Sequence, residues 1–191
     1  MKEKLPANSM QKYIYEQEAH WFTKLEPYVY GKVLKIGSGL GYMTSFIRKN
    51  HPSMRVLEVR TNESDPNSKN VDLYDGKIFP FDSNSFDCSV STYVLHHTPD
   101  PVEIILEMRR VSKRIIILEE TYTNLFSKID LCYRDIYVNT LANQPSKIYW
   151  GSYFQESRLK DVLKDLDLNV IFSKREKKRS YFKQLYVLEK S

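Results

Sequence analysis

The chain has 191 residues, of which 41% are hydrophobic and 28% are charged, and its formal net charge is +5 at pH 7. This length and composition are ordinary for a single globular domain over residues 1–191. We expect no membrane-spanning helix, because no stretch approaches the ~20 consecutive apolar residues that a bilayer requires. The modest basic excess is compatible with nucleic acid, with anionic metabolites or with neither as a partner.

The cysteines and the N-terminus bear on the cellular compartment. Cys88 and Cys132 lie far apart and match no metal-ligand spacing, which favours a reduced setting. Residues 1–10 are polar and lack the apolar segment of a secretory signal. We therefore expect a cytoplasmic protein.

The first predicted helix covers residues 10–25, where apolar residues recur at helical spacing. Its aromatic side chains are compatible with two roles, a flap over a ligand or simple packing of the helix on a sheet. Glu26-Pro27 marks the end of this helix, because proline disfavours helical backbone in the residue before it.

The most informative stretch combines a strand, three glycines and a helix. Residues 33–36 are strand-like and run into Gly37, Gly39 and Gly41, and residues 42–48 are compatible with a helix. Glycine permits positive φ and lets a ligand approach without meeting a Cβ atom. The helix directs unpaired N–H groups and a partial positive charge at the turn. The pattern favours a nucleotide-like ligand at a sheet edge, although its G-x-G-x-G spacing differs from the G-x-G-x-x-G of dinucleotide folds.

The rest of the chain alternates predicted strands and helices and then ends in a hairpin. Asp100 is a typical N-cap, and Pro101 suits the first turn of the helix that follows. The alternation implies an α/β fold with a parallel sheet and right-handed crossovers. Further strands are predicted at 55–59, 71–74, 88–95 and 114–118, helices at 125–141 and 156–166, a loop at 61–70, and an antiparallel hairpin of strands 168–173 and 182–188 joined by a highly charged turn at 174–179.

The glycine triplet is the first of several motifs that follow one another in a specific order. An acidic residue ends the second strand and another follows the third. Phe-Pro-Phe-Asp-x-x-Ser-Phe-Asp then occupies residues 79–87, and Leu-His-His-x-x-Asp-Pro occupies residues 95–101. Over residues 33–120 this order resembles class I S-adenosylmethionine-dependent methyltransferases, and is most similar to the subgroup that includes ubiquinone- and menaquinone-pathway enzymes. The resemblance implies a Rossmann-like, doubly wound, seven-stranded sheet that is mostly parallel with a C-terminal antiparallel hairpin.

The resemblance also implies S-adenosylmethionine as the cofactor and assigns residues to its parts. Glu58, at the end of the second strand, would accept two hydrogen bonds from the ribose hydroxyls. Asp75 matches the acid that accepts from the adenine amino group, and Asp72 is the competing candidate. The remaining predicted cofactor-binding residues are Gly37, Ser38, Gly39, Gly41, Gly76, Thr92 and Tyr93.

One residue departs from the family pattern. The family usually has an acid two residues before the first glycine, where it helps to hold the ammonium group of the cofactor, and this chain has Lys35. Three outcomes are open: Lys35 turns outward, the amino-acid tail of the cofactor is held differently, or cofactor binding is weak.

Histidines and glutamates at the ends of the fourth and fifth strands are the candidate catalytic groups. Methyl transfer is an in-line displacement that requires a positioned nucleophile, and many acceptors also need a general base. His97 and Glu120 are the predicted catalytic residues, with capping, packing or a solvated position as the alternative for each. We predict no metal site, because His96, His97 and the other histidines lack partners at ligand spacing.

Residues 121–150 are predicted to form a lid-like insertion after the fifth strand, at the sheet edge where open α/β folds bind ligands. Aromatic side chains with polar tips suit a small apolar or aromatic acceptor, although a helical lid that packs on its own domain is the alternative. The predicted substrate-binding residues are Tyr122, Tyr133, Asn139, Tyr149 and Trp150.

We therefore predict methyl transfer from S-adenosylmethionine to a small molecule. An RNA-modifying or RNA-binding protein is one alternative, supported by the basic excess and the charged turn at 174–179. A non-catalytic partner that keeps the methyltransferase fold is another, and Lys35 is its motivation.

Overall fold

A mixed β-sheet forms the centre of the computed structural model, which describes residues 5–59, 71–144 and 146–190. Its strands are β1 (Val33–Ile36), β2 (Arg55–Val59), β3 (Val71–Tyr74), β4 (Phe86–Thr92), β5 (Ser112–Tyr122), β6 (Phe154–Gln155), β7 (Leu168–Lys178) and β8 (Tyr181–Lys190). Within these residues the strand order is β3-β2-β1-β4-β5-β8-β7, and the short β6 pairs beside the end of β5. Strands β1 to β6 pair in parallel, whereas β8 is antiparallel to both β5 and β7.

Five α-helices are present among the described residues: α1 (Ser9–Leu25), α2 (Tyr42–Asn50), α3 (Pro101–Val111), α4 (Leu125–Leu141) and α5 (Glu156–Asp165). Polar side chains fix where three of them begin, because each accepts a hydrogen bond from an N–H group that has no partner within the helix. Asn8 caps α1, Asp100 caps α3, and Asn124 forms a capping box with Ser127 at the start of α4. None of the helices in the described part of the chain is long and apolar enough to cross a lipid bilayer.

Strand β5 shows that helices cover both faces of the sheet. Ile115 and Ile117 belong to the apolar cluster that includes residues of α3 and α5, whereas Ile116 and Leu118 belong to the cluster that includes residues of α1 and α2. All four side chains are fully buried. Truncating such a residue to alanine typically costs about 2–5 kcal/mol. Together with the strand pairing, this alternation confirms the predicted doubly wound, mostly parallel sheet with C-terminal antiparallel strands, to which β6 adds an eighth described strand beyond the predicted seven.

The order of the strands reverses between β1 and β4, which are neighbours although β2 and β3 separate them along the chain. Ligands bind in open α/β sheets at such a reversal, in the crevice outside the carboxyl ends of the strands. The glycine segment follows β1 and Tyr93 follows β4, so both lie at this crevice.

Several predicted bounds differ from the structure. Strand β4 ends at Thr92, before the predicted limit at residue 95, because Leu95–His97 form a 3-10 turn. Strand β5 continues to Tyr122, four residues beyond the predicted end, where it pairs with the unpredicted β6. The predicted loop at 61–70 lies outside the described residues.

The predicted charged turn at 174–179 is wrong. Its first five residues continue strand β7, and the turn is a tight one around Arg179, which has a φ of +51°. Strand β7 lies at the edge of the sheet, where charged side chains are favoured because they discourage pairing with another chain. Two of these side chains have partners: Arg175 forms an ion pair with Glu156, and Glu176 forms a hydrogen bond with His20.

Candidate active site

The glycine segment after β1 adopts a backbone that only glycine accommodates easily. Gly37, Gly39 and Gly41 have φ values of +65°, +55° and +87°. A Cβ atom on Gly37 would lie 2.9 Å from Cγ2 of Val94, and one on Gly39 would lie 3.3 Å from Nε2 of Gln144. Gly41 is the N-cap of α2. The segment is therefore held close to the elements around it, and helix α2 begins directly behind it.

Glu18 of helix α1 reaches the N-terminus of α2. Its Oε2 atom accepts a hydrogen bond from the backbone N–H of Met43 at 2.5 Å. Burial raises the pKa of the Glu18 carboxyl, and this hydrogen bond and the positive charges of Lys35 and Lys183 oppose the rise. No sequence motif indicated Glu18, because its approach to the glycine segment depends on how α1 packs.

Lys35 does not turn outward, which removes one of the three outcomes foreseen for it. Its side chain is only 1% exposed, and its Nζ atom donates to the carbonyl oxygens of Ile36 and Gly37 at 2.8 Å each. Burial lowers the pKa of Lys35 to about 8, and the neighbouring carboxylates of Glu18 and Glu58 oppose that change. The lysine thus anchors the start of the glycine segment through hydrogen bonds to backbone carbonyl groups, and it interacts electrostatically with Glu18.

The acids in β2, in β3 and directly after β3 differ in their hydrogen-bond partners and exposure. The carboxylate of Asp72 is held by Arg55, whose Nε atom lies 2.7 Å from its Oδ2 atom. Asp75 is exposed and accepts from the backbone N–H of Lys77 at 2.9 Å, which lowers the pKa of its carboxyl. Glu58 is partly buried at the end of β2. Of the two candidates for the adenine amino group, Asp75 therefore keeps the more available carboxylate.

A cavity of about 170 Å³ lies between the glycine segment, α1, α4 and the ends of β4, β5 and β8. Six of the predicted site residues line it: Gly39, Thr92, Tyr93, His97, Glu120 and Asn139. Glu18, Asp135, Tyr181 and Lys183 also line it, and sequence reasoning missed all four. The cavity joins the predicted cofactor segment to a wall of ionisable side chains.

Tyr93 has two features that are typical of functional positions, a strained backbone and an unpartnered hydroxyl group. Its φ is +54°, which is costly for a bulky residue and persists only where the surroundings enforce it. Its hydroxyl group is buried and has no hydrogen-bond partner within the described residues. The ammonium group of Lys183 lies 4.8 Å from the centre of its ring. An unsatisfied hydroxyl at the cavity wall is a group that a ligand can satisfy.

Glu120 lies near the carboxyl end of β5 and faces Lys183 across the β5–β8 ladder. The two residues are direct partners in the strand register, and Nζ of Lys183 lies 3.5 Å from Oε1 of Glu120. Burial raises the pKa of the Glu120 carboxyl, while the charge of Lys183 opposes the rise. Such a carboxylate is better suited to accept a proton near neutral pH than an exposed one.

Two histidines and two acids form a connected cluster beside Glu120. His96 is buried, and its Nδ1 atom lies 2.5 Å from Oε1 of Glu119. The other Glu119 oxygen accepts the backbone N–H of Leu95 at 3.0 Å, which ties the cluster to the turn after β4. The Nε2 atoms of His96 and His97 each lie 3.7 Å from Oδ1 of Asp135 on helix α4.

None of the four aromatic residues predicted to bind substrate lines the cavity. Tyr133 is 67% exposed and Trp150 is 49% exposed, and Lys128 lies 4.6 Å above the Trp150 ring. Tyr122 packs against a separate apolar cluster, and Tyr149 precedes the 3-10 turn Trp150–Ser152. Helix α4 instead presents Arg134, Asp135, Val138 and Asn139 to the cavity. Residue type alone did not reveal which face of α4 is turned inward.

Comparisons with known proteins agree with this fold. Residues 34–115, from β1 into β5, match the family described as "Methyltransferase domain". No curated protein matches the chain.

Three solved structures illustrate the structural likeness. A SAM-dependent methyltransferase from Methanosarcina mazei is 18% identical, with a TM-score of 0.60 and coverage of 87% of this chain and 96% of that one. A SAM-dependent methyltransferase from Aquifex aeolicus is 16% identical, with a TM-score of 0.57 and coverage of 87% and 88%. The PH0226 protein from Pyrococcus horikoshii is 15% identical, with a TM-score of 0.60 and coverage of 92% of both chains.

These matches show the fold of class I S-adenosylmethionine-dependent methyltransferases. Together with the domain match they indicate S-adenosylmethionine as the cofactor. The residues of this chain fit that group, because the glycine segment leaves no room for a Cβ atom on Gly37 and the carboxylate of Glu18 can pair with an ammonium group.

Proposed function

We propose that this protein is an enzyme that transfers a methyl group from S-adenosylmethionine to a small-molecule acceptor. The observation that carries the proposal is one cavity that joins the glycine segment to Glu120 and the histidine–acid cluster. The groups proposed to bind the cofactor and to accept a proton thus share a single space, as a transfer reaction requires.

The proposed cofactor-binding residues are those that the family resemblance implies, and the order of elements around the crevice supports them. Glu58 would accept from the ribose hydroxyls and Asp75 from the adenine amino group, with Gly37, Ser38, Gly39, Gly41 and Gly76 providing close backbone approach. Thr92 and Tyr93 would lie along the methionine portion. Glu18 would hold the ammonium group of that portion, and so replace the acid that is missing where Lys35 stands. This is the second outcome foreseen for Lys35, in which the tail is held differently.

When bound, S-adenosylmethionine supplies an electrophilic methyl group on a sulfonium. The chain's own residues position the acceptor, exclude water and remove a proton. Glu120 is the proposed base, because it is largely buried, lines the cavity and has a raised carboxyl pKa. Asn139 lines the same cavity and is the proposed donor that orients the acceptor. His97 lies beside them, with its Nδ1 atom 3.1 Å from the carbonyl oxygen of Lys147.

The size of the cavity supports a small acceptor. A space of about 170 Å³ between α1, α4 and the sheet suits part of a metabolite, whereas RNA requires an extended basic surface. Of the charged residues 174–179, which motivated the RNA alternative, the first five lie along edge strand β7, and Arg175 already forms an ion pair with Glu156. The resemblance to quinone-pathway enzymes makes phenols and quinols the first acceptors to test.

The test has two arms on the purified full chain. Calorimetry with S-adenosylhomocysteine measures cofactor binding, and transfer of label from methyl-labelled S-adenosylmethionine is measured with phenols, quinols, small amines and bulk RNA. We expect binding, and label transfer to a small molecule but not to RNA. Absence of binding overturns the proposal, and transfer to RNA alone overturns the acceptor class. Binding without transfer to any of the acceptors would favour the non-catalytic partner.

A further inference from the structure

Three ligand-type atoms converge on one wall of the cavity. The Nε2 atoms of His96 and His97 and a carboxylate oxygen of Asp135 all lie within 4.8 Å of one another. Each nitrogen is 3.7 Å from Oδ1 of Asp135, which is too long for a direct hydrogen bond. Two ligands that are each ~2.1 Å from an ion and are 3.7 Å apart subtend an angle of about 120° at that ion. The separation of each histidine from Asp135 is thus suited to an ion between them, whereas ligand atoms as far as 4.8 Å apart must approach to within ~4.2 Å to share one.

The opposite side of each imidazole ring is already held. Nδ1 of His96 lies 2.5 Å from Oε1 of Glu119, and Nδ1 of His97 lies 3.1 Å from the carbonyl oxygen of Lys147. When Nδ1 carries the proton in these bonds, each neutral ring directs the lone pair of Nε2 at Asp135. A carboxylate or a carbonyl behind a histidine is the outer arrangement that metal-binding histidines almost always have.

Asp135 is oriented in the same way. The hydroxyl group of Tyr153 donates to its Oδ2 atom at 2.7 Å, and the amide of Asn139 donates to its Oδ1 atom at 2.7 Å. Both donors hold the carboxylate in place without neutralising its charge. Ligating carboxylates in metalloproteins are hydrogen-bonded in this manner.

A second, independent observation points to a ligand. His96 is only 1% exposed, and its Nε2 atom has no hydrogen-bond partner within the described parts of the chain. A buried polar atom without a partner is unfavourable, because it has lost its hydrogen bonds to water. A metal ion bound to this atom would remove that cost.

We infer that His96, His97 and Asp135 bind one divalent transition-metal ion of the Zn²⁺ type. Two imidazoles and one carboxylate suit zinc, iron or cobalt, whereas Mg²⁺ and Ca²⁺ prefer oxygen ligands. Three protein ligands leave at least one coordination position open, and His97 and Asp135 line the cavity. On the proposed function, this open position would hold an oxygen or nitrogen atom of the acceptor.

The competing arrangement has no metal. In it His96 is an imidazolium between Glu119 and Asp135, and the cluster only ties the turn after β4 to helix α4. The two arrangements differ in a direct way, because an imidazolium has no lone pair for an ion.

The experiment measures metal binding without any cofactor. Full-length protein is stripped with a chelator and titrated with Zn²⁺ by calorimetry and with Co²⁺ by visible absorption. We expect one ion per chain and Co²⁺ bands of a four- or five-coordinate nitrogen–oxygen site. His97→Gln and Asp135→Asn should each weaken Zn²⁺ binding at least tenfold, whereas His20→Gln and Asp161→Asn should not change it. Circular dichroism verifies that each variant is folded, and His97→Gln alters only a partly exposed side chain.

Two results would overturn the inference: no saturable binding of Zn²⁺ or Co²⁺ to the stripped protein, or binding that neither ligand variant weakens. The result is separable from the proposed function, because binding of S-adenosylhomocysteine to the stripped protein is measured independently. Loss of the metal site with retained cofactor binding contradicts only the metal inference. Metal binding with no cofactor binding contradicts only the methyltransferase proposal.

Discussion

The two sides of the cavity differ in what forms them: backbone on one side and ionisable side chains on the other. On one side, the segment from Gly37 to Gly41 is defined by backbone conformation and by the absence of side chains. On the other side, buried ionisable groups from β5, β8 and α4 are held by one another, as Glu120 is by Lys183. The first side should therefore be sensitive to added atoms, and the second to changes of charge at constant shape.

The largest effect is expected on the charged side. Glu120→Gln keeps the shape of the side chain but removes the proposed base, so methyl transfer should fall by roughly 10²–10⁴-fold. Binding of S-adenosylhomocysteine should stay within about twofold, because the substitution leaves the glycine segment intact. The measurement is single-turnover transfer of labelled methyl, with calorimetry in parallel. Unchanged transfer would remove Glu120 from the mechanism.

Lys35 connects the two sides and gives a pH-dependent effect on stability. Its pKa is lowered to about 8 from an ordinary value of 10.5, so the unfolded chain binds more protons between these values. The free energy of unfolding should therefore gain a contribution that rises as the pH increases from about 8 to 10.5, by roughly 3 kcal/mol in total.

Urea unfolding of wild type and of Lys35→Met across this pH range isolates that contribution. The free energy of unfolding of wild type should increase relative to that of Lys35→Met as the pH rises. The exposed Lys164→Met is the control and should follow wild type. If the free energies of unfolding of wild type and Lys35→Met changed equally with pH, the result would contradict the buried position of the lysine.

Gly37→Val tests the backbone side. Its φ of +65° and the 2.9 Å approach of Val94 both oppose a side chain, and the strain should destabilise the protein by about 1–3 kcal/mol. Cofactor binding should be lost at the same time. Gly151→Ala is the matched control, because a Cβ atom there meets nothing within 4 Å. Thermal unfolding measures the loss of stability, and calorimetry with S-adenosylhomocysteine measures the loss of binding. A stable Gly37→Val that binds S-adenosylhomocysteine normally would contradict the proposed role of the glycine segment.

The smallest expected effect concerns Glu18. Glu18→Gln removes the charge proposed to hold the ammonium group, and S-adenosylhomocysteine should bind about tenfold more weakly, since a charge-assisted hydrogen bond contributes about 1.5–3 kcal/mol. Glu16→Gln alters an exposed residue on the same helix and should bind like wild type. Equal affinities for the two variants would leave the ammonium group with another partner.

The sequence revealed the parts of the molecule that local physics decides. The glycine turn of Gly37, Gly39 and Gly41 could be predicted because glycine readily adopts positive φ. The start of α3 could be predicted because Asp100 caps a helix directly. Strand β5 was legible because its β-branched run fits a strand buried on both faces.

The site residues that depend on tertiary contacts could not be predicted from the sequence. Asp135 lies 38 residues beyond His97 in the chain, and only the packing of α4 brings its carboxylate to the two imidazoles. Glu18 likewise reaches Met43 through the packing of α1 on α2. The charged residues 174–179 were misread as a turn because the polarity of an edge strand resembles that of a loop.

A crystal structure of the protein with S-adenosylhomocysteine tests the central proposal most directly. We expect the amino group of the ligand beside the carboxylate of Glu18, its homocysteine chain along Gly39 and Tyr93, and its ribose hydroxyls on Glu58. A ligand whose amino-acid end lies away from Glu18, or a glycine segment that stays empty at saturating ligand, would contradict it.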